Sequence, residues 1–493
     1  MTRPDLSPSD RTGGRWQLQF DALGGWGISL VVHTMLLLLL ALVVLPIVPA
    51  EQERILTVST VENDSEPVVD VVEIQPQEII EGSTSIAAEA VDAVNLAETP
   101  SPVTVNVDRK SLSLPPSLAE LLGPEVDRQS DFAGRSEAAR AALVRGFGGT
   151  TASEAAVTSG LRWLAEHQNA DGSWNFAHSR EECQEDCTGD GLLDNRPVAA
   201  TSMALLCFLG AGHTHEEGKY RRVVRDGVRY LMRRREFSEY GIDFRNGAGT
   251  SAMYSHGLAT IALCEAYGLS GDALLKRPAQ LAVNFIVNAQ DPAIGGWRYQ
   301  FRPPDAVGDT SVVGWQVMAL ASARIAGLDV PRKSRQRAMR FLDSVQLEDG
   351  VYYGYVKPQR KASTTAIGLL CRLYLGWATD RPAVHRGVEF LAGRGPDRNN
   401  MYYNYYATQV LHHTGGEAWV RWNESMRAWL VRTQERDGHA AGSWRIRNGT
   451  GSLRDPHAKT GGRLYITCLA ILTLEVYYRH LPLYQRQSVQ AEM

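Results

Sequence analysis

The sequence predicts an all-α protein whose main domain is a single α6/α6 toroid, a closed barrel of about six helix pairs. Three observations support this fold: a repeated motif, a second apolar segment after each copy, and a spacing of about 40 to 70 residues between copies. Four copies combine an aromatic–aliphatic pair, a Gln five residues after the aromatic, and a Gly-containing turn that ends in an aromatic. The pairs are Trp163-Leu164, Phe285-Ile286, Phe341-Leu342 and Trp429-Leu430, with weaker copies at Tyr230-Leu231 and Phe390-Leu391.

Each repeat reads as two helices. In the first repeat, an amphipathic helix carries Trp163 and Leu164 and ends near Gly172. The second helix, beginning at Thr201, is apolar nearly all round, which is typical of a buried helix. Apolar segments follow the other five pairs at residues 258–268, 312–327, 364–376, 405–415 and 465–478. We therefore predict an outer ring of amphipathic helices and an inner ring of apolar ones.

The repeated Gln and the turn aromatic have separate predicted roles. We expect the Gln amide to bond backbone groups left open at a helix end, and the aromatic ring to pack on the neighbouring repeat. The predicted turn aromatics are Trp174, Trp297, Tyr352 and Trp444.

The segment Gln168-Asn-Ala-Asp171-Gly172-Ser-Trp174 resembles the repeat of triterpene cyclases of the squalene–hopene cyclase type. More distantly, it resembles that of protein prenyltransferase β subunits. The resemblance covers roughly residues 150–484 and implies an α/α toroid. The motif residues of those families hold the barrel together and do not carry out the reaction. Triterpene cyclases have two such barrels, whereas this chain has residues for one.

The remaining third of the chain contains the segments that indicate where the protein is located. Residues 26–48 form a predicted transmembrane helix, since their apolar run is long enough for a hydrocarbon core of about 30 Å. Arginines precede this run and few basic residues follow it, so the positive-inside rule predicts a cytoplasmic tail at residues 1–25 and an extracytoplasmic, periplasmic toroid. A cleaved signal peptide is the competing interpretation.

An acidic linker and a short tail complete the predicted organisation. Residues 49–135 lack periodicity and almost lack aromatics, so we predict a disordered spacer before a toroid at residues 136–484 and a tail at 485–493. The formal net charge of −4 gives no indication of nucleic-acid binding. The expected partners are membrane lipid, through the anchor, and envelope proteins, and no cofactor is predicted.

Cysteines fall into two groups. Four lie in the apolar helices, where a free Cys behaves as a small buried hydrophobe: Cys207, Cys264, Cys371 and Cys468. Cys183 and Cys187 lie in a polar loop, and in an oxidising compartment they are expected to form a disulfide. The alternative for this loop is a calcium site, because Asp186 and Asp190 fall at ligand positions. Pro197 stands where the bidentate Glu should be, so no metal is assigned.

The resemblance also indicates where chemistry would occur. Triterpene cyclases protonate their substrate with an acid in an Asp-x-Asp-Asp-Thr motif just before an inner helix. The matching stretch keeps Asp309 and Thr310 but has Gly308 at the position of the proton donor. We expect Asp309 to be the N-cap of the next helix; alternatively it is a non-standard catalytic acid assisted by His256. Tyr403 stands where prenyltransferases have a zinc-binding His, so zinc-dependent prenyl transfer is not expected.

An aromatic set marks the predicted starts of the inner helices. Its members are Tyr254, Trp315, Tyr402, Tyr405, Tyr406 and Tyr465. Aromatic faces bind branched apolar chains, and they also fill barrel cores. The sequence thus predicts a membrane-tethered toroid that binds an extended isoprenoid, lipid or peptide ligand in its central cavity. The alternative function is a terpene cyclase or transferase that uses Asp309 as its acid, and the sequence leaves open whether the protein is an enzyme.

Overall fold

The structure is a computed structural model that describes residues 132–179, 183, 187–247, 249, 251–303, 307–445 and 455–483. The predicted cytoplasmic tail, the transmembrane helix and nearly all of the acidic linker lie outside the described residues, as does the C-terminal tail. Within the described part of the chain, no helix has the length and apolar character needed to cross a membrane.

The described residues form fourteen α-helices and two short hairpins. In chain order the helices are α1 (Glu137–Gly146), α2 (Thr151–Glu166), α3 (Pro197–Gly210), α4 (Arg221–Arg233), α5 (Ala252–Ser270), α6 (Ala273–Ala289), α7 (Thr310–Ile325), α8 (Arg332–Val345), α9 (Ala362–Tyr374), α10 (Pro382–Arg394), α11 (Met401–Thr414), α12 (Gly416–Thr433), α13 (Ala458–Leu474) and α14 (Val476–Arg479). The antiparallel hairpins pair β1 (Glu236–Ser238) with β2 (Gly241–Asp243), and β3 (Gln346–Leu347) with β4 (Tyr352–Tyr353).

Six odd-numbered helices, α3 to α13, form a closed inner ring. Each contacts the next along the chain, and α13 returns to contact α3. The even-numbered helices α2 to α12 lie outside, and each packs on at least one of the two inner helices that flank it. Each outer helix and the inner helix that follows it form one repeat, numbered one to six. The toroid predicted from the repeats is therefore present.

Burial follows the predicted division between the two rings. In α3 every residue after Pro197 is buried, because neighbouring helices surround an inner helix on all sides. In α4 the buried side is formed by Val224, Gly227, Val228, Tyr230 and Leu231, and several arginines lie on the opposite side. The apolar pattern of the sequence thus decides which ring a helix joins.

The repeated Gln joins neighbouring outer helices. The Nε2 atom of Gln168 donates to the backbone oxygen of Gly172 in its own turn at 3.0 Å, and to that of Val223 in α4 at 2.9 Å. Repeat three forms the same pair of bonds to its own turn and to α8. In repeat six, Gln434 Nε2 donates to the oxygen of Ala156 in α2 at 2.8 Å, which joins the last repeat to the first.

The turn tryptophans have the packing role that the sequence predicts. The indole N–H of Trp174 donates to the oxygen of Leu164 at 2.7 Å, which ties the turn back to its own outer helix. The ring faces Gly227 of the next outer helix, where a Cβ atom would lie 3.1 Å from the indole. Trp444 faces Gly160 of α2 in the same way, with a corresponding distance of 3.3 Å. Small residues therefore let each outer helix approach the preceding turn.

The fourth turn differs from the prediction by one residue. In repeats one and six, the backbone N–H of the turn Trp donates to a Thr hydroxyl of the following inner helix. In repeat four this bond runs from Tyr353 to Thr365 Oγ1 at 3.1 Å, so Tyr353 and not Tyr352 is the turn aromatic. Glu348 and Asp349 both have positive φ and form a turn with one more residue than that of repeat one.

Replacement of Trp297 by Ala tests the energetic role of the turn aromatic. Trp297 is buried and its indole N–H donates to the oxygen of Ile286 at 2.8 Å. We expect Trp297→Ala to lower the free energy of unfolding by about 3–5 kcal/mol, since it leaves a large cavity and an unpaired carbonyl. Thermal and urea unfolding measure the change. Phe237→Ala is the control, because that ring is 70% exposed; equal effects of the two substitutions would contradict the assignment.

Candidate functional site

Asp309 caps α7, as the sequence predicts. Its Oδ1 atom accepts from the backbone N–H of Ser311 at 2.7 Å and of Val312 at 3.3 Å, and from the Ser311 hydroxyl at 2.5 Å. The side chain is fully buried. Every one of these partners is a donor, so Asp309 acts as a hydrogen-bond acceptor here, which is the role of an N-cap.

The second oxygen of Asp309 faces a basic and phenolic environment. Its Oδ2 atom lies 3.6 Å from Nη1 of Arg298 and has no hydrogen-bond partner among the described residues. The hydroxyls of Tyr299 and Tyr355 bond to each other nearby. Burial, and next the charge of Asp309, raise the pKa of Tyr299 to about 12, so this phenol keeps its proton at neutral pH. The Oδ2 atom of Asp309 thus faces an arginine and two phenols whose pKa values are raised.

His256 has a structural role, which the repeat pattern explains. Its Nδ1 atom accepts from the backbone N–H of Phe244 at 3.1 Å, and its Nε2 atom donates to the oxygen of Ala282 at 3.1 Å. The bond from Phe244 is the counterpart of the turn-to-Thr bond in repeats one, four and six. Repeat two therefore has a turn aromatic, Phe244, that the sequence analysis missed, and His256 stands in for the threonine. The ring is fully buried and does not reach Asp309 through any hydrogen bond described in the structure.

Three of the predicted ligand-binding aromatics fill the centre of the ring. Trp315 of α7 stacks on Tyr405 of α11, with ring centroids 5.8 Å apart, and meets Tyr406 edge-on at 5.8 Å. Helices α7 and α11 belong to repeats three and five, so these side chains meet across the inside of the ring. All three are buried. They are packed core residues in this structure.

The other three aromatics lie towards the N-terminal ends of the inner helices. Tyr254 donates to or accepts from the hydroxyl of Ser311 at 2.7 Å, and Tyr402 donates to the Ser311 oxygen at 3.4 Å. Tyr254 and Tyr465 are partly exposed. Burial, as the largest cause, raises the pKa of Tyr402 and of the other two phenols. Contact of these three side chains with a ligand stays a prediction.

A cavity of about 400 Å³ lies at the opposite end of the ring. It is lined by the C-terminal parts of inner helices and by the segments that flank the toroid. Its apolar walls include Ile261, Met318, Ile325, Leu373 and Leu481. This volume falls within the range of about 300–1,000 Å³ that is usual for small-molecule sites. The sequence analysis expected a ligand where inner helices begin, and this cavity lies where they end.

Two buried arginines share one carboxylate in this cavity. Arg135 Nη1 lies 2.7 Å from Glu265 Oε2, and Arg479 Nη2 lies 3.0 Å from Glu265 Oε1. Glu475 is the next acidic group, 4.0 Å from Arg479, and burial raises its pKa well above the usual value. Arg324 lines the cavity from an exposed position. The lining contains three arginines, Arg135, Arg324 and Arg479, and one acidic residue, Glu265, so it carries net positive charge.

The loop with Cys183 and Cys187 corrects the predicted disulfide. Both thiols are free and buried. Imidazole nitrogens lie beside both sulfurs: Nδ1 of His439 lies 3.5 Å from Cys183 Sγ and 3.3 Å from Cys187 Sγ. Nε2 of His167 lies 3.4 Å from Cys187 Sγ. Of the two positions named for a calcium site, Asp186 lies outside the described residues, and Asp190 is bonded to the N–H and hydroxyl of Ser179.

The sequence analysis missed His167 and His439 as members of this cluster. His167 precedes the Gln of repeat one, and His439 lies in the turn of repeat six. In a closed ring the first and sixth repeats are neighbours, so their turns are adjacent although 272 residues separate the two histidines. A comparison of the polar residues in the first and last turns could have identified these two histidines.

Comparisons with known proteins show fold-level likeness only. No protein-family model and no curated protein sequence matches the chain. Among solved structures, an inactive variant of the α-1,6-mannanase GH76A of Salegentibacter sp. HEL1_6 is 11% identical, with a TM-score of 0.46 over 66% of this chain and 99% of that chain. A variant of the type II terpene cyclase MstE from Scytonema is 16% identical, with a TM-score of 0.41 over 66% and 97%. Likeness of this degree carries no information on reaction or ligand.

The buried His256 predicts a pH dependence of stability. Burial lowers its pKa to about 4 from a usual 6.5, so between these values the unfolded chain binds a proton that the folded chain does not. The stability that neutral His256 contributes is complete above pH 6.5 and is lost as the pH falls towards 4. We expect urea unfolding to show lower stability at pH 5 than at pH 7.5, with a shallower decrease in His256→Thr. The exposed His385→Thr is the control, and equal slopes in all three proteins would refute this role.

Proposed function

We propose that the toroid binds a single-chain amphipathic lipid, with an apolar acyl or prenyl chain and an acidic group. The ligand would occupy the cavity at the C-terminal end of the inner ring. One cavity combines a suitable volume, an apolar wall and more arginines than carboxylates. This combination is the observation that supports the proposal. A binding function needs only this site.

The apolar wall supports a hydrocarbon ligand. Ile261, Met318 and Ile325 project from the second and third inner helices, and Leu373 from the fourth. Burial of a ligand chain against them is favourable by about 25 cal/mol per Å² of apolar surface removed from water. Met318 adds an adaptable side chain that accommodates chains of different branching.

The charge distribution supports an acidic group on that ligand. Arg135 and Arg479 are both held by Glu265, so their guanidinium groups are fixed in place before a ligand arrives. Glu265 supplies one negative charge to these two arginines. A carboxylate or phosphate bound beside them would supply a second one. Arg324 stands at the exposed side of the cavity and would guide an anion towards it.

The predicted anchor is part of this proposal. A toroid tethered by residues 26–48 on the outer side of a cytoplasmic membrane would work beside a lipid phase and other envelope proteins, which suits a lipid ligand. A peptide ligand, which the sequence also allowed, is less suited to a cavity of about 400 Å³. The partly exposed phenols at the other end, Tyr254 and Tyr465, remain a candidate second contact surface.

Binding of dodecyl phosphate, with dodecanol as the neutral analogue, tests the proposal. We expect calorimetry to detect dodecyl phosphate binding and at least tenfold weaker binding of dodecanol. Ala321→Trp should abolish binding, because the indole would occupy the cavity that Ala321 lines. Arg324→Glu should weaken binding of the phosphate and leave that of dodecanol unchanged.

Matched controls separate the cavity from the rest of the domain. Ala428→Trp on the exposed side of α12 and Arg332→Glu at the exposed start of α8 should bind like the unmodified chain. Tyr254→Phe tests the other end of the ring and should leave binding unchanged. Binding that survives Ala321→Trp but is lost in Tyr254→Phe would move the site to the aromatic end and overturn the proposal.

A second candidate function is an enzyme with Asp309 as its acid. The unpartnered, buried Oδ2 atom is the specific observation that favours it. We expect it to be incorrect, because a general acid must hold a proton to donate, and the contacts of Asp309 are with donors. Product analysis after incubation with squalene and shorter prenyl substrates should show no cyclic product. A cyclic product that disappears in Asp309→Asn would establish the enzyme and remove the binding proposal.

A further inference from the structure

Four side chains that commonly bind metals converge at the junction between repeats one and six. They are His167 at the end of α2, Cys183 and Cys187 in the loop that follows, and His439 in the turn after α12. One potential ligand atom from each lies within 4.8 Å of all the others. The first three residues are buried, and His439 is exposed.

The distances within this cluster match a tetrahedral zinc site. With Zn–S bonds of about 2.3 Å and Zn–N bonds of about 2.05 Å, a tetrahedral centre separates sulfur and nitrogen ligands by about 3.6 Å. Three of the four sulfur–nitrogen distances here are 3.3, 3.4 and 3.5 Å, and the remaining separations among the four atoms lie within 4.8 Å. The three distances are close to those of a tetrahedral zinc site.

Supporting hydrogen bonds orient the ligands. Nδ1 of His167 donates to the oxygen of Trp163 at 2.7 Å, which leaves Nε2, the atom facing Cys187, with its lone pair free. The backbone N–H of Cys187 donates to Sγ of Cys183 at 3.1 Å. These two hydrogen bonds hold the His167 ring and the Cys183 sulfur in place as ligands.

We propose that His167, Cys183, Cys187 and His439 bind one Zn²⁺ ion in a structural site that joins the first and sixth repeats. Two thiols lose their protons to solvent as two Zn–S bonds form, and the two thiolates balance the charge of the ion. Four protein ligands complete the tetrahedron and leave no open position for a substrate, so the site has no catalytic role.

The position of the site explains what the metal would do. Cys187 and His439 are 252 residues apart in sequence, and a bond between them closes the ring where the chain itself does not. Arg463 of α13 already holds both ligand-bearing segments, since it donates to the oxygen of Thr188 at 2.6 Å and to the hydroxyl of Ser443 at 2.8 Å. A zinc ion would add a cross-link over a very long loop, where the gain in stability is largest.

Other occupants fit these residues less well. Calcium prefers six to eight oxygen ligands, and this cluster offers two sulfurs and two nitrogens. A disulfide would use both sulfurs and leave two imidazoles facing it without a role. Two thiolates and two imidazoles are a standard ligand set for structural zinc.

Metal analysis of the full chain tests this inference. Protein prepared with zinc and reductant should contain about one zinc per chain by mass spectrometry of the metal. His439→Ala should bind zinc at least about tenfold more weakly and should still fold, because that side chain is exposed. Cobalt substitution should give thiolate-to-metal charge-transfer absorption that is absent in Cys187→Ser. A chelator should lower the melting temperature of the unmodified chain by several degrees and that of His439→Ala by less.

Two controls complete the design. His385→Ala removes an exposed histidine from α10 and should keep the full metal content. Cys264→Ala removes a buried helix cysteine and should do the same. The inference is overturned if the unmodified chain holds no zinc under these conditions, or if His439→Ala retains zinc with unchanged affinity. Protein prepared without reductant that lacks zinc and has lost two hydrogens from a Cys183–Cys187 pair would also overturn it.

Discussion

The bond from a glutamine amide to the next outer helix is the contact on which the ring depends. Consecutive repeats pack side by side, so a row of six would expose an apolar flank at each end. Gln434 makes its bond to Ala156 in the first outer helix, and Trp444 packs on Gly160 of the same helix. The contacts used between consecutive repeats thus also join the last repeat to the first, and closure needs no separate device.

Closure also decides where open volume remains. Inner helices that are apolar on all sides must fill the space that they enclose, and Trp315, Tyr405 and Tyr406 do so by packing across the ring. Open space is left at the C-terminal end, where Arg135 and Arg479 meet Glu265. Buried charges require partners of opposite charge. The ion pairs of Glu265 with Arg135 and Arg479 hold the segments that flank the toroid, and the same ion pairs make the cavity polar.

Features that depend on local pattern could be predicted. The apolar periodicity identified both rings, and Asp309 before Thr310 was recognised as an N-cap because an N-cap bonds only residues next to it. Features that depend on the number of residues in a turn were predicted less accurately. Tyr353 replaced Tyr352 because the turn of repeat four contains one more residue than that of repeat one. His256 fills a repeat position that threonine usually fills, and there it accepts a bond from Phe244. Because this position was not recognised in the sequence, His256 was interpreted as a candidate acid–base group.

By itself, the sequence determined that six helix pairs form, which helices are buried, and that repeats one, three and six bond through Gln and Trp. Periodicity and short motifs specify these features because they act within a few residues of each other. Only the tertiary structure decided which turns meet, and so which side chains face Cys183 and Cys187. His167 and His439 converge on these thiols because the ring closes, and side chains 272 residues apart in a chain share no local pattern that records their contact.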